Sequence, residues 1–302
     1  MNMELGWGEM AALATAVVWA VSAQVQGAVG RMVGPTGVTL LRMPYQIAFL
    51  AVLCLFMPIS LTISWEAFGF VALSGVLGIF LSDFLLYRAI DVIGPSTAVL
   101  ILSSSTVFSA GLSWLFLGEA ISGRTVAGIG LALCGILWVV TERSGSTLLP
   151  GQAIPKGRDL VRGALAAAGA ALALALSFIC LKAGLNKEAD PLWAAFLRVF
   201  CGAVVLWMMG AARGWVTAAR RNLALYPKVY WMLFCSCACG ATGLWLSSVA
   251  MAKAPVAVAA TLIGLQPVAI ALISAAWYKR RLSLRVVSGI AVAFMGTALI
   301  CL

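Results

Sequence analysis

Arginines at two matching places in this sequence lie well inside long apolar stretches, where a charge is costly and therefore points to a function. Arg42 and Arg198 each stand seven residues after a proline, Pro35 and Pro191. At the helical rise per residue this spacing places each arginine about 11 Å along its helix. From that depth a long side chain can still reach the lipid–water interface. Each arginine is therefore either an anchor at the interface or a cation that faces an anionic ligand.

A carboxylate, Asp83, lies in a third apolar stretch, and Tyr87 follows it by one helical turn. A short acidic side chain about 11 Å from the nearer helix end cannot reach the interface, so it needs a partner. Two alternatives remain open. Asp83 either pairs permanently with Arg42 or Arg88, or it changes protonation during a transport cycle, with protons as the coupling ion.

Neutral polar and aromatic side chains inside the first apolar stretch are further candidates for a binding cavity. Trp19 shares this stretch with Ser22 and Gln24, and Trp245 lies equally deep in the eighth stretch. Most other tryptophans fall near the ends of apolar stretches, which is typical of interfacial anchors. For Trp19 and Trp245, cavity lining and lipid-facing packing both remain open, because an all-apolar pattern does not fix the phase of a helix.

The fourth and ninth stretches carry polar groups near their middle. The fourth has the run Ser103–Thr106, which includes Ser104 and Ser105, and the ninth has Gln266 beside Pro267. Together these groups favour a polar cavity at the centre of the molecule. The alternative for the hydroxyl groups is a hydrogen bond to a carbonyl of their own helix.

The elements that must position these residues are membrane-spanning helices. The chain has 302 residues, of which 63% are hydrophobic and 10% charged, too few charged residues for the surface of a soluble domain. The apolar runs are not alternating, which excludes a β-barrel. The pattern predicts an all-α membrane protein of about ten helices, at Met10–Val29, Gly37–Phe56, Phe68–Ile90, Thr97–Leu117, Thr125–Val140, Gly163–Leu185, Leu192–Met209, Val229–Ala252, Val256–Tyr278 and Leu284–Cys301.

The amino-acid content of the chain excludes several classes of function. The chain contains no histidine, which removes Ser-His dyads and histidine metal sites, and a protease with two aspartates would need a second deep acid beside Asp83. Cys235 and Cys239 share a helix face that Cys237 does not, so we interpret this cysteine run as packing. No Walker motif is present. We therefore expect no catalytic site, no metal and no cofactor.

The net charge of +10 comes from basic residues that lie mostly in short breaks beside helix ends. Such residues belong next to anionic membrane lipid, and we expect no nucleic acid as a partner. The residues give no indication of an oligomeric state.

Weak internal similarity divides the chain into two halves. Gly8 and Ser22 match Gly163 and Ser177; Pro35 with Leu41-Arg42 matches Pro191 with Leu197-Arg198; the segment at residues 89–95 resembles that at 250–255; and Arg124, Gly128 and Gly135 match Arg285, Gly289 and Gly296. The longest polar stretch, residues 141–159, separates a first repeat at 1–140 from a second at 160–302. Because each repeat holds five helices, the second enters the membrane inverted, as in many transporters. The four matched glycines predict faces where helices pack closely.

These residues resemble the EamA-like family of the drug/metabolite transporter superfamily. Residues 115–136 (LFLGEAISGRTVAGIGLALCGI) are similar to the family's Leu-Gly-Glu signature at the end of the fourth helix and its Gly-rich fifth helix. Leu41-Arg42 and residues 81–90 (LSDFLLYRAI), which lead to Gly94, also look like family patterns. The second repeat departs from the signature, since Lys279-Arg280-Arg281 stands where Glu119 would recur. Roles for these positions are therefore not carried over.

The resemblance implies a multi-pass transporter in the inner (plasma) membrane of a bacterium. We expect a secondary transporter for a small polar organic metabolite, which works by alternating access, with an amino acid or related carboxylate as the preferred substrate. Membrane lipid is the other expected partner. The alternatives are a lipid scramblase or a membrane scaffold that transports nothing; an intramembrane enzyme is disfavoured.

The resemblance and the charge distribution give opposite orientations. Family members usually keep both termini in the cytoplasm. Here the breaks after the odd-numbered helices hold fourteen Lys and Arg residues, whereas the termini and the remaining breaks hold four. Short basic loops stay in the cytoplasm, so the charge distribution predicts that both termini lie outside, and we adopt that orientation as the expectation.

Overall fold

The computed structural model describes residues 6–120, 122–143, 157–217, 221, 228–277 and 283–301. Most of the predicted linker and the basic cluster Lys279-Arg280-Arg281 lie outside the described residues. Within the described ranges the regular structure is helical, without a β-strand.

In the described part of the chain, ten long helices follow one another. Their bounds are α1 Trp7–Val33, α2 Pro35–Phe56, α3 Trp65–Ile93, α4 in two segments Pro95–Leu102 and Ser105–Leu117, α5 Gly123–Arg143, α6 Arg158–Leu185, α7 Pro191–Ala212, α8 Lys228–Lys253, α9 in two segments Val256–Ile263 and Gln266–Trp277, and α10 Leu284–Cys301.

The helices confirm the predicted all-α membrane protein. Nine of them, counted over the described residues, are long and apolar enough to cross a membrane, and the apolar part of α10, Leu284–Ile300, is slightly shorter. Large apolar side chains such as Trp7, Trp65 and Leu284 are exposed on the outside of the bundle, where lipid is the natural solvent. The chain is a multi-pass membrane protein built from two inverted five-helix repeats.

Each helix of the first repeat packs against a helix of the second. The extensive contacts pair α1 with α8, α3 with α6 and α5 with α10, and α2 packs on α7 as α4 does on α9. A pseudo-two-fold axis that exchanges the repeats converts the α1–α8 contact into the α6–α3 contact and returns each of the other three pairs to itself. The contacts therefore have the symmetry that inverted repeats require.

The pair α5–α10 is held together along the predicted glycine faces. A Cβ atom added to Gly135 would come 2.6 Å from the carbonyl oxygen of Gly289, and one added to Gly296 would come 2.7 Å from that of Gly128. The two backbones approach so closely only because side chains are missing at these positions. The prediction of close glycine packing is confirmed.

Two helices predicted to be continuous are interrupted near their middle. The α4 segments separate at Ser103 and Ser104, and the α9 segments at Gly264 and Leu265, which are matching positions of the two repeats. In α9, Pro267 cannot donate a hydrogen bond to the carbonyl of Ile263. In α4 the hydroxyls compete for backbone carbonyls. The predicted spans Thr97–Leu117 and Val256–Tyr278 are found as Thr97–Leu117 and Val256–Trp277, and each consists of two helical segments.

The middle of α3 departs from α-helical geometry where it packs on the second repeat. Val76–Ser82 is a π-helical segment, and the preceding Gly75 lies against the backbone of Arg198 in α7. The sequence predicted an ordinary helix at Phe68–Ile90, because neither proline nor a polar run marks the change. Wider turns of this kind are common at functional sites, and this one ends directly before Asp83.

Candidate functional site

A cavity of about 740 Å³ lies between the two repeats. It runs from the middle of the bundle, at Trp19 and Gly78, to helix ends on one side of the membrane, at Gly30, Val38 and Ile90. We call this side the cavity face, and the opposite side, where α8 turns into α9, the closed face. The cavity has the size of a typical small-molecule site.

The closed face is held by contacts around the turn between α8 and α9. The carboxylate of Glu119, from the first repeat, accepts a hydrogen bond of 2.8 Å from the backbone N–H of Val256. Lys182 donates to the carbonyls of Ala254 at 3.0 Å and Ala252 at 3.5 Å, and Gly8 of α1 lies directly against Ala254. The negative charge of Glu119 complements the free N–H groups at the start of α9, and the positive charge of Lys182 complements the free carbonyls at the end of α8.

Arg42 and Asp83 form an ion pair in the cavity wall. Arg42 also donates a hydrogen bond of 3.1 Å from Nη1 to Oε1 of Gln26, and Tyr87 lines the same cavity one turn beyond Asp83. The exposed fractions of the two charged side chains are 17% and 25%. Of the partners considered for Asp83, the structure selects Arg42, which neutralises it inside the membrane.

Arg198 lines the floor of the cavity with a different set of neighbours. The residue is 3% exposed, and its Nη2 donates a hydrogen bond of 3.3 Å to Oγ of Ser177. Its Nε and Nη1 have no hydrogen-bond partner among the described residues. Ser177 Oγ in turn donates to the carbonyl of Ser74 at 2.8 Å, which fixes the hydroxyl as an acceptor for the guanidinium.

The polar side chains of α1 that face the cavity are tied to α8. Trp19 donates from Nε1 to the carbonyl of Gly240 at 3.3 Å. Ser22 donates to the carbonyl of Ser236 at 2.9 Å and accepts from Nε2 of Gln26 at 2.7 Å. With Gln266 at the break in α9, these groups add neutral polar side chains to the cavity wall that holds Arg42, Asp83 and Arg198.

Four of the candidate residues lie outside the cavity wall. Gln24 points to α9, where it donates to Ser274 and to the carbonyl of Ile270. Ser104 donates to the carbonyl of Ile101 at 2.7 Å, which is the structural alternative considered for it, and Ser105 is buried in the bundle. Trp245 packs beside an apolar cluster formed by α2, α3, α7 and α8. The helix phase that decides these positions was not readable from the sequence.

The cavity also contains polar residues that the sequence analysis did not single out. Gln26 follows Ser22 by four residues, and Gln46 follows Arg42 by four residues. Residues at this spacing share a helix face, so the pattern could have indicated both. Phe178, beside Ser177, carries no such signal.

A second, smaller cavity of about 50 Å³ adjoins Asp83. Its lining includes Thr39, Tyr87, Arg88 and Asp91. Asp83 is therefore placed between a space of roughly the size of one or two water molecules and the large cavity.

Comparison with known proteins gives one family and one shared fold. The model of the EamA-like transporter family matches residues 6–141 and again residues 161–302. No curated protein matches the sequence significantly. A crystal structure of a protein with 17% sequence identity superposes with a TM-score of 0.73, over 97% of this chain and 96% of the other; at that identity the likeness concerns the fold alone.

Proposed function

Because this chain belongs to the EamA-like transporter family, and is therefore a membrane transporter of the drug/metabolite type, we propose that it is a secondary transporter that works by alternating access. Its cargo on this proposal is a small polar organic metabolite, with an amino acid or related carboxylate as the preferred class. The location that goes with it is the inner membrane of a bacterium.

One observation carries the proposal. The 740 Å³ cavity sits between the repeats and reaches the helix ends at only one face, as far as its described lining extends. At the other face α1 and the loop after α4 press on the α8–α9 turn. A cavity with this asymmetry is what one end state of an alternating-access cycle requires.

The pseudo-symmetry supports the second half of the cycle. In the opposite state the contacts at Val256 and Ala254 separate, while the ends of α1, α2 and α3 near the cavity face come together. The breaks in α4 and α9 lie at matching positions and supply the places where short helical segments can tilt. No Walker motif is present in the sequence, so a gradient of substrate or of protons drives the cycle.

Proton coupling has one candidate group. Asp83 lies between the large cavity and the small one, so water could reach its carboxylate without passing the substrate. Its ion pair with Arg42 is the competing role. The two roles differ in the effect of Asp83→Asn: loss of a structural ion pair lowers stability, whereas loss of a proton carrier lowers flux at unchanged stability.

The proposal predicts that cavity residues are accessible from one side of the membrane at a time. In a variant without native cysteines, Ala23→Cys in the cavity wall would be labelled with a membrane-impermeant thiol reagent in vesicles of either sidedness. We expect labelling from the side that also labels Asp159→Cys, at the cavity face. The matched control at the closed face is Asn186→Cys, whose side chain is exposed.

Passage of the impermeant reagent through the protein to the far side would mean a pore, and no labelling of Ala23→Cys from either side would mean that the cavity is closed to water; both results contradict the proposal. The two control positions also decide the orientation. Labelling of Asp159→Cys only from the cytoplasm confirms the charge distribution, whereas labelling only from outside confirms the usual family arrangement.

A further inference from the structure

Arg198 is a buried cation whose neutralising partner is missing from the protein as described. The guanidinium group is protonated under all ordinary conditions. Ion pairs within the described residues involve Asp83, Asp159 and Glu66, and none of them includes Arg198. An unpaired charge at such depth is expensive, and its persistence points to a ligand that supplies the opposite charge.

The repeat symmetry shows which group is absent. Arg198 corresponds to Arg42, since each lies seven residues after the proline that begins its helix. The helix that follows Arg42 provides Asp83, which pairs with it. In the register that matches Ala89 with Ala250 and Phe84 with Trp245, the position of Asp83 corresponds to Leu244 in α8. Both Arg198 and Leu244 line the cavity, so the second repeat keeps the cation and has lost the acid.

The surroundings of Arg198 suit a small anionic group attached to an apolar body. Ser177 holds one edge of the guanidinium through Nη2. Gly78 lies beside that edge, and a Cβ atom there would come 3.6 Å from Nη2 and 3.0 Å from Cβ of Ser177. Nearby cavity walls from Ile79, Phe178 and Leu244 are apolar.

We propose that Arg198 binds the anionic group of the transported molecule, a carboxylate or a phosphate, in the place that Asp83 takes against Arg42. The inference rests on the proposed function and specifies its substrate class as organic anions. Arg42 is excluded from this role because its own protein carboxylate already neutralises it. Ser177 acts as a positioning residue, and Gly78 places no side chain against the edge of the guanidinium that Ser177 holds.

The test uses four probes that share a phenyl group and differ in the charged end: 3-phenylpropionate, phenyl phosphate, 3-phenylpropanamide and 3-phenylpropylamine. Each is titrated against the full-length purified protein in detergent while the melting temperature is recorded, because a ligand stabilises the state to which it binds. The expected result is stabilisation by the anions and not by the amide or the amine. The anion that raises the melting temperature more identifies the preferred group, carboxylate or phosphate.

Arg198→Met should weaken the anion effect by about tenfold or more, the usual cost of removing one side of a buried charge contact. Without any probe, the same variant should melt at the wild-type temperature or above it, because an uncompensated charge has been removed. A purely structural arginine would instead lower the melting temperature when replaced.

A matched pair of substitutions tests the symmetry argument. Leu244→Asp restores the acid at the position that corresponds to Asp83, and Leu244→Asn has the same size without the charge. We expect anion binding to be about tenfold weaker in Leu244→Asp than in Leu244→Asn, because the new carboxylate occupies Arg198.

The inference is overturned if the amide or amine stabilises the wild type as well as the anions do, if Arg198→Met binds the anions as tightly as wild type, or if no probe has an effect. Failure of the anion site can be distinguished from failure of the proposed function. Saturable flux of the amine or amide through proteoliposomes would show transport and would contradict only the anion site.

Discussion

The two arginines inside the membrane occupy equivalent places and have different partners. Arg42 pairs with Asp83 and with Gln26, whereas Arg198 contacts a serine hydroxyl. Arg42 lies nearer the cavity face and Arg198 nearer the closed face, and both line the same cavity. On the proposed function, an anion in this cavity would meet one cation that has no carboxylate partner, Arg198.

The Arg42–Asp83 pair predicts a specific pattern of stabilities. Arg42→Met and Asp83→Asn should each lower the free energy of unfolding by about 1.5–3 kcal/mol, because each leaves one charged group unpaired, and the double variant should be more stable than either single one. Melting temperatures of the four proteins in one detergent would measure this. If Asp83→Asn is as stable as wild type but loses flux, Asp83 acts as a proton carrier and not as one half of a structural ion pair.

At this scale, seven of the eleven candidate residues predicted from the sequence lie in the cavity wall. The depth of Arg42 and Asp83 was sufficient to expect a pair, because a short acid cannot reach water. Arg198 lacks a carboxylate partner because of the side chains with which α3, α6 and α8 face it. Helix phase decides this, and an apolar pattern does not encode phase.

Among the helices, the turn between α8 and α9 is the element most tightly held by polar contacts. Its first carbonyls accept from Lys182, and the first N–H group of α9 donates to Glu119. Glu119 belongs to the other repeat, so this contact must break when the closed face opens. In the sequence, the position that corresponds to Glu119 in the second repeat falls in the basic cluster Lys279-Arg280-Arg281, which lies outside the described residues.

Glu119→Gln should therefore favour opening of the closed face. Loss of the charge at the start of α9 removes about 1 kcal/mol, which changes the ratio of the two states by about fivefold. A cysteine at the buried position Ala259 would report the change as faster labelling from the closed face. Glu66→Gln is the matched control, because Glu66 is 74% exposed in its pair with Lys187 and such pairs contribute little. Equal labelling rates in the two variants would remove Glu119 from the gate.

The number and order of the helices followed from the sequence, while their interruptions did not. Apolar runs long enough to span a bilayer leave little choice of structure. The break at Ser103–Ser104 depends on local competition for carbonyls, and the break at Gly264–Leu265 on the missing N–H of Pro267. The π-helical segment of α3 depends on the approach of α7 at Gly75. Such contacts arise only when helices from different repeats meet.

For the molecule as a whole, the pairing of helices explains how two weakly similar halves form one transporter. The α5–α10 pair packs glycine against glycine and does not line the cavity, whereas the helices α1, α3, α6 and α8 cross-pair around it. In the proposed alternating-access cycle the first pair would serve as a fixed axis, and the second set would supply the surfaces that move. This division accounts for a cavity placed between the repeats and not within either one.

The most direct test of the account is counterflow in proteoliposomes. Vesicles that contain the purified protein and are loaded with unlabelled 3-phenylpropionate or phenyl phosphate would be mixed with a trace of the same labelled anion outside, next to vesicles with Arg198→Met and vesicles without protein. A transporter for organic anions predicts transient accumulation of label in the wild-type vesicles that saturates with concentration and is strongly reduced in Arg198→Met. Movement of labelled lipid between leaflets without any accumulation of solute, by these anions or by the neutral and cationic probes, would contradict it and identify a scramblase.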